Sequence, residues 1–91
     1  MVVVSADELN ALPLMVTAVV GTDAENVTRP YRTNVLVRAS ESGLPLDTVF
    51  LCFHLRSLDP RRFREPPAGR VPPSRMREID AALRHVLALG A

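Results

Sequence analysis

The chain has 91 residues, a length that accommodates one small domain, because chains of this size rarely divide into two hydrophobic cores. Apolar residues make up 47% of the sequence and charged residues 23%, so neither disorder nor a fibrous repeat is expected. The single cysteine, Cys52, excludes an internal disulfide and a paired-cysteine metal site, and no apolar run approaches the roughly 18 residues of a membrane-spanning helix. We therefore expect a single cytoplasmic domain over residues 1–91, without a metal or cofactor and without membrane contact.

All eleven basic residues are arginines, and they are unevenly distributed along the chain. Residues 1–28 contain four acidic residues and no arginine, whereas residues 29–91 contain eleven arginines and six acidic residues. Guanidinium groups bind phosphate through two parallel hydrogen bonds and stack on bases, so this composition suits an RNA or DNA ligand. Codon bias in a GC-rich genome explains the missing lysine equally well, and both interpretations stay open.

The first predicted elements are a strand and a short helix. The β-branched run from Val2 to Val4 is typical of a strand. Ser5 and Glu8 have the spacing of a capping box, which predicts a turn or two of helix over residues 9–12, ended by Pro13.

The next predicted element is a strand covered on both faces. The apolar run from Leu14 to Val20 is almost uninterrupted, and Gly21 is expected to end it. Residues 22–30 are polar and loop-like, and Arg29-Pro30 favours an extended backbone before the following strand.

Two further strands are predicted in the middle of the chain. Residues 33–39 alternate, which indicates a half-exposed strand with Val35, Val37 and Ala39 on one face. Residues 41–43 read as a turn. Residues 47–55 then predict a central or interface strand with apolar groups on both faces: Val49, Leu51, Phe53 and Leu55 on one, and Phe50, Cys52 and His54 on the other.

The C-terminal third is a predicted loop followed by a helix. Residues 60–73 hold five prolines and four arginines, which excludes regular helix and leaves at most a brief strand at Val71. Ser74 is a plausible N-cap for a helix that ends at Gly90. The fold class expected from the pattern is mainly β (α+β), a small barrel or curled sheet capped by that helix. The side chains predicted to pack on the sheet are Met76, Ile79, Ala82, Leu83, Val86 and Leu87, with Arg75, Arg77, Asp80 and Arg84 turned away.

The order and spacing of several segments resemble the MazF/PemK/Kid toxins of bacterial type II toxin–antitoxin systems. The resemblance covers nearly the whole chain and implies a small SH3-like β-barrel with a C-terminal α-helix packed on the sheet. It also implies a homodimer, a cognate MazE-like antitoxin, and a sequence-specific, metal-independent endoribonuclease that cleaves single-stranded RNA and so inhibits translation and growth. The segments that carry it are Val2-Val3-Val4-Ser5, Leu14 to Thr22, Gly43 to Val49, Arg56-Ser57-Leu58-Asp59 and Met76 to Leu89.

The resemblance also assigns residues. In this family the ribose 2′-OH attacks the adjacent phosphate, assisted by an arginine in an N-terminal Arg-Pro segment and by a threonine at the end of the next strand. The threonine position corresponds to Thr22, which is the implied catalytic residue. The arginine would precede Met1, so we expect this sequence to be short at its N-terminus. The implied RNA-binding residues are Arg29, Arg32, Arg38 and His54, and the candidate antitoxin-binding residues are Arg61, Arg62 and Arg64.

Each of these residues also has a purely structural interpretation. Thr22 suits a turn, His54 a core or interface position, and the arginines a solvated surface. Two other functions stay open: a catalytically impaired MazF-like protein that binds only antitoxin or RNA, and a gyrase poison like the CcdB toxins. The sequence lacks the tryptophan that ends the C-terminal helix of the latter.

Overall fold

The computed structural model describes residues 1–12, 15–29, 31–63 and 66–90. Four strands form one antiparallel sheet in the order β1-β2-β4-β3, and the C-terminal helix packs on β3 and β4. This confirms the expected class, with β1 and β3 at the two edges of the curled sheet. No helix in the described ranges is long and apolar enough to cross a membrane. The elements are β1 (Val2–Val3), α1 (Asp7–Asn10), β2 (Val16–Asp23), β3 (Asn34–Val37), α2 (Ala39–Ser42), β4 (Thr48–Leu58) and α3 (Pro73–Val86), with 3₁₀ turns at Ala24–Asn26 and Pro60–Arg62.

The short helix after β1 forms without the predicted capping box. α1 begins at Asp7 with Ala6 as its N-cap, and no side chain caps it. The Ser5 hydroxyl is used elsewhere, because it donates to Asn10 Oδ1 and accepts from the Thr17 backbone N–H at 3.0 Å. The predicted helix end at Pro13, the strand start at Leu14 and the extended bend at Pro30 lie outside the described residues.

β2 does not end at Gly21 as predicted but continues to Asp23. Gly21 pairs with Phe50 across the sheet, and a Cβ at position 21 would lie 2.9 Å from both Phe50 Cε1 and Thr48 Cγ2. The glycine is therefore a packing requirement inside the strand, where it leaves room for the aromatic ring.

β4 is the central strand that its two apolar faces predicted, but it is interrupted by a bulge. Val20 pairs with Leu51 whereas Val19 pairs with Leu55, so residues 52–54 have no Cα partner on β2. An odd number of extra residues reverses the alternation of faces. Leu55 consequently packs on the same core as Phe50 and corrects the prediction that they lie on opposite faces.

The helix-facing core confirms most of the predicted register of α3. Ile79 and Ala82 are buried in the core that α3 forms with β3 and β4, and Met76, Leu83 and Val86 pack against that core. Leu87 is an exception, because α3 ends at Val86 and leaves the Leu87 side chain 50% exposed. The strand residues of this core are Val19, Val35, Val37, Phe50 and Cys52, and a second small cluster holds Val16, Ala18 and Leu58.

The start of α3 also differs from the prediction. Pro72 is the N-cap rather than Ser74, and Pro73 occupies the first turn, where its missing N–H costs nothing. Arg75 does not turn away from the protein: its guanidinium lies 3.1 Å from Glu41 Oε1 and 2.7 Å from Glu78 Oε2. Arg75 thereby connects α3 to α2.

The predicted turn at residues 41–43 is the end of the one-turn helix α2. Gly43 follows it in the left-handed conformation, with φ 79°, which suits a residue without a Cβ. The Asp47 carboxylate accepts the Ala39 backbone N–H at 2.7 Å, which closes the connection between α2 and β4. Val71, the predicted brief strand, is irregular backbone.

Candidate active site

A cleft of about 760 Å³ opens beside the end of β2. It lies between β1, the β2–β4 pair, the connection after α2 and the segment 67–71. Thr22 lines it from β2, where it pairs with Val49 of β4. The cleft is largely apolar, and its walls include Val2, Val3, Leu44, Phe50, Phe63 and Val71.

Thr22 has a hydroxyl that is free to donate a hydrogen bond into this cleft. Its Oγ1 accepts from Asn26 Nδ2 at 3.4 Å, and an acceptor role leaves the hydroxyl proton uncommitted. Two other polar side chains of the cleft have local acceptors or donors: Thr48 Oγ1 donates to the Leu46 carbonyl at 3.1 Å, and Asp23 Oδ1 accepts the Glu25 backbone N–H at 3.0 Å.

Of the described arginines, Arg70 lines the same cleft as Thr22. The sequence placed it among the loop arginines and gave no reason to single it out. Its backbone N–H donates to the Ser42 carbonyl at 2.8 Å, which holds the proline-rich segment against the end of α2. The preceding Gly69 is the only sequence signal for this contact, since a glycine often marks a close backbone approach.

The implied RNA-binding residues lie elsewhere and are spread over the surface. Arg32 is exposed in the turn before β3, and Arg38 follows β3 with Nη1 at 3.7 Å from Asp47 Oδ2. His54 is exposed in the bulge of β4. None of these three is among the described residues that line the Thr22 cleft.

Arg29 lines a second, smaller cavity of about 320 Å³. Tyr31, 56% exposed, lies beside it, and Asn34 Oδ1 is buried there without a hydrogen-bond partner among the described residues. The Asn34 Nδ2 donates to the Arg29 carbonyl at 3.5 Å. The cavity therefore combines a cation, an aromatic ring and an amide on one surface.

The candidate antitoxin-binding arginines follow β4. Arg61 makes a two-pronged contact with Asp59, whose shortest N–O distance is 2.6 Å, although the Arg61 side chain is 90% exposed. This hydrogen-bonded contact lowers the pKa of Asp59 and raises that of Arg61. Arg62 is exposed, and Arg64 lies outside the described residues.

The remaining reactive groups do not form a further site. Burial raises the pKa of the Cys52 thiol to about 11, so at neutral pH it is protonated and serves as packing. Within the described ranges, no group of three or more His, Cys, Asp or Glu side chains is placed to hold a metal ion.

Comparisons with known proteins agree with the fold and extend over nearly the whole chain. The family model of the PemK-like, MazF-like toxin of type II toxin–antitoxin systems matches residues 1–87. The chain resembles a solved endoribonuclease in complex with its cognate antitoxin from a mycobacterial species, with 26% identity, a TM-score of 0.81, and coverage of 98% of this chain and 80% of that one. It also resembles the Mycobacterium tuberculosis toxin MazF-mt6, with 18% identity, a TM-score of 0.80, and coverage of 99% and 86% respectively. No curated protein matched.

Proposed function

Because this chain belongs to the PemK-like, MazF-like toxin family of type II toxin–antitoxin systems, whose members are endoribonucleases in general, we propose that it cleaves single-stranded RNA in the Thr22 cleft. The family match over residues 1–87 is the observation that carries the proposal. The cleft beside Thr22 supports it, because a volume of about 760 Å³ accommodates a nucleotide and its flanking phosphates.

The proposed reaction is an internal transesterification. The ribose 2′-oxygen attacks phosphorus, the bond from phosphorus to the 5′-oxygen breaks, and the products are a 2′,3′-cyclic phosphate and a 5′-hydroxyl. The proton leaves the 2′-oxygen and one is returned to the departing 5′-oxygen, so no metal or co-reactant is consumed. Negative charge develops on the non-bridging phosphate oxygens, where the Thr22 hydroxyl donates a hydrogen bond.

The test is cleavage of a long single-stranded RNA by the purified protein in EDTA, with mapping of 5′-hydroxyl ends. We expect ends clustered at one short sequence, and Thr22→Val should lower the cleavage rate about 100-fold, in line with the loss of one transition-state donor. Thr22→Ser keeps the hydroxyl and should retain much of the rate. Thr17→Val is the matched control, since Thr17 lies on the same strand as Thr22 and lines neither the cleft nor the second cavity. Intact RNA with the wild-type protein contradicts the proposal and leaves the binding-only alternative.

The RNA path is proposed to extend from the cleft over Arg29, Arg32, Arg38 and His54. Support comes from the second cavity, where Arg29 and the exposed Tyr31 ring offer a phosphate contact and a stacking surface. Alanine at each position should weaken binding of an uncleavable RNA, and removal of a phosphate contact should reduce the slope of log K against log salt by about 0.7. An unchanged affinity and slope removes that residue from the path.

The partners proposed for this chain are a second copy of itself and an acidic antitoxin. The related mycobacterial endoribonuclease was solved with its cognate antitoxin, and the exposed Arg61 and Arg62, with Arg64 close by in sequence, suit an acidic segment. Light scattering should give twice the mass of one chain. Charge reversal of the three arginines should slow association with an antitoxin encoded by the neighbouring gene. An unchanged association rate would show that the antitoxin binds elsewhere.

A further inference from the structure

Among the described residues that line the Thr22 cleft, Arg70 supplies a guanidinium group that forms no ion pair with another described residue. Four ion pairs occur among the described residues, and none of them includes Arg70. The carboxylate of the cleft, Asp23, instead accepts the Glu25 backbone N–H. Among the described residues of the cleft, the Thr22 hydroxyl and the Arg70 side chain both have donors without an acceptor, and such a pair suits an anion.

A backbone hydrogen bond holds the segment at Arg70 against the end of α2. Its N–H donates to the Ser42 carbonyl at 2.8 Å, and Ser42 is itself buried, with Oγ donating to the Arg38 carbonyl at 3.1 Å and accepting the Leu44 N–H at 3.1 Å. A Cβ at Gly69 would collide with the Ser42 carbonyl oxygen and lie 3.2 Å from the Leu44 backbone nitrogen. The close approach that places Arg70 at the cleft therefore requires glycine at position 69.

Apolar side chains line the cleft around Arg70. Val71 and Leu44 flank the segment, and Phe63 and Val2 lie on the same surface. Arg70 is itself exposed, so a phosphate can reach its guanidinium from solvent while the nucleotide contacts the apolar walls.

We propose that Arg70 binds the phosphodiester of RNA in the Thr22 cleft and neutralises its non-bridging oxygens as the 2′-oxygen attacks. The inference rests on the proposed function and adds to it the cation that the sequence did not identify. Arg70 donates two hydrogen bonds to the phosphate, and Thr22 donates a third. Arg70 acts as a hydrogen-bond donor and transfers no proton.

The test compares Arg70→Ala and Arg70→Lys with Arg77→Ala, a matched control that removes an exposed arginine from α3 outside the cleft. Two readouts are used: the rate of RNA cleavage, and the affinity for the same RNA with 2′-deoxy substitution, which binds but cannot react. We expect Arg70→Ala to lower kcat/KM at least 100-fold and to reduce the salt slope of binding by about 0.7. Arg70→Lys should recover part of the loss, and Arg77→Ala should stay within twofold of wild type.

The outcomes separate this inference from the proposed function. If wild-type protein cleaves RNA and Arg70→Ala cleaves within threefold of it, the role of Arg70 is wrong and the proposed function stands. If wild-type protein does not cleave but binds the 2′-deoxy RNA, a reduced salt slope for Arg70→Ala alone supports the phosphate contact, while the nuclease proposal fails. An unchanged slope, or an absence of binding by the wild type, overturns the contact.

Gly69→Ala tests the placement of the arginine without touching its charge. It should lower cleavage at least tenfold while the chain still unfolds cooperatively, because the backbone at Arg70 must move away from Ser42. Full activity of this variant would show that the contact does not place Arg70. If Gly69→Ala fails to fold, the Arg70 variants decide the question.

Discussion

The contact between α3 and the sheet should account for a large part of the folding free energy, and Ile79→Ala measures it. The Ile79 side chain is fully buried against β3 and β4. Alanine removes three carbon groups, a transfer loss of about 2.4 kcal/mol at about 0.8 kcal/mol per group. The cavity left behind adds to this loss, so the variant should be less stable by about 3–5 kcal/mol. A domain of this length has a free energy of unfolding of roughly 5–14 kcal/mol, so Ile79→Ala approaches the limit of folding.

Urea unfolding at one fixed protein concentration measures the change, with Leu87→Ala as the matched control. Leu87 follows the same helix but is 50% exposed, and its truncation should cost under about 1 kcal/mol. Ile79→Val, which leaves a smaller cavity, should cost about 1 kcal/mol. The reasoning is refuted if Ile79→Ala lowers the free energy of unfolding no more than Leu87→Ala does.

Two further predictions concern titrating groups. Because burial raises the pKa of Cys52 to about 11 from 9.0, alkylation by iodoacetamide at pH 8 should be at least about 100-fold slower in the native protein than in urea. As the pH rises, the thiol ionises first in the unfolded chain, so the free energy of unfolding should fall between about pH 9 and 11. Cys52→Ala should remove that decline. Fast alkylation of the native protein would contradict the burial of Cys52. The Arg38 backbone N–H, and then Arg75, lower the pKa of Glu41 from its ordinary value of 4.5. The ionised Glu41 carboxylate therefore stabilises the fold above pH 4.5, and this stabilisation is lost as the pH falls through the lowered pKa. The difference in urea midpoint between wild type and Glu41→Gln should shrink on acidification. A constant difference between pH 7 and 3 would refute this role of Glu41.

The sequence predicted the elements well where burial alone decides the pattern. Alternation placed Val35 and Val37 on the buried face of β3, and helical spacing placed Ile79 and Ala82 on the buried face of α3. Boundaries were less predictable, because they depend on tertiary contacts. β2 continues past Gly21 since Phe50 packs over the glycine.

The face change in β4 could not be predicted from the residues themselves. Phe53 is as apolar as its neighbours, so alternation placed it with Leu51 and Leu55, yet it is 55% exposed. A hydrophobic pattern reports which side chains are apolar and says nothing of how many residues oppose one another across a strand pair. That number depends on the pairing with β2.

The candidate site was predictable only in part. Thr22 followed from the family resemblance, and the structure places it in a cleft. Arg70 reaches that cleft through a backbone contact with Ser42, a residue distant in sequence, and no local pattern encodes such a contact. The other loop arginines have the same composition around them, so only the fold distinguishes Arg70.

The bulge in β4 leaves part of a central strand without pairing to β2. Residues 52–54 interrupt the ladder with β2, and of these Phe53 and His54 are exposed. Substitution of Phe53 or His54 should therefore leave the register of the strands unchanged, whereas Cys52 is buried and donates its N–H to the Thr33 carbonyl at 2.9 Å. Variability usually belongs to loops. Here two side chains near the middle of the sheet have comparable freedom, and they are available to diversify a recognition surface while the core stays unchanged.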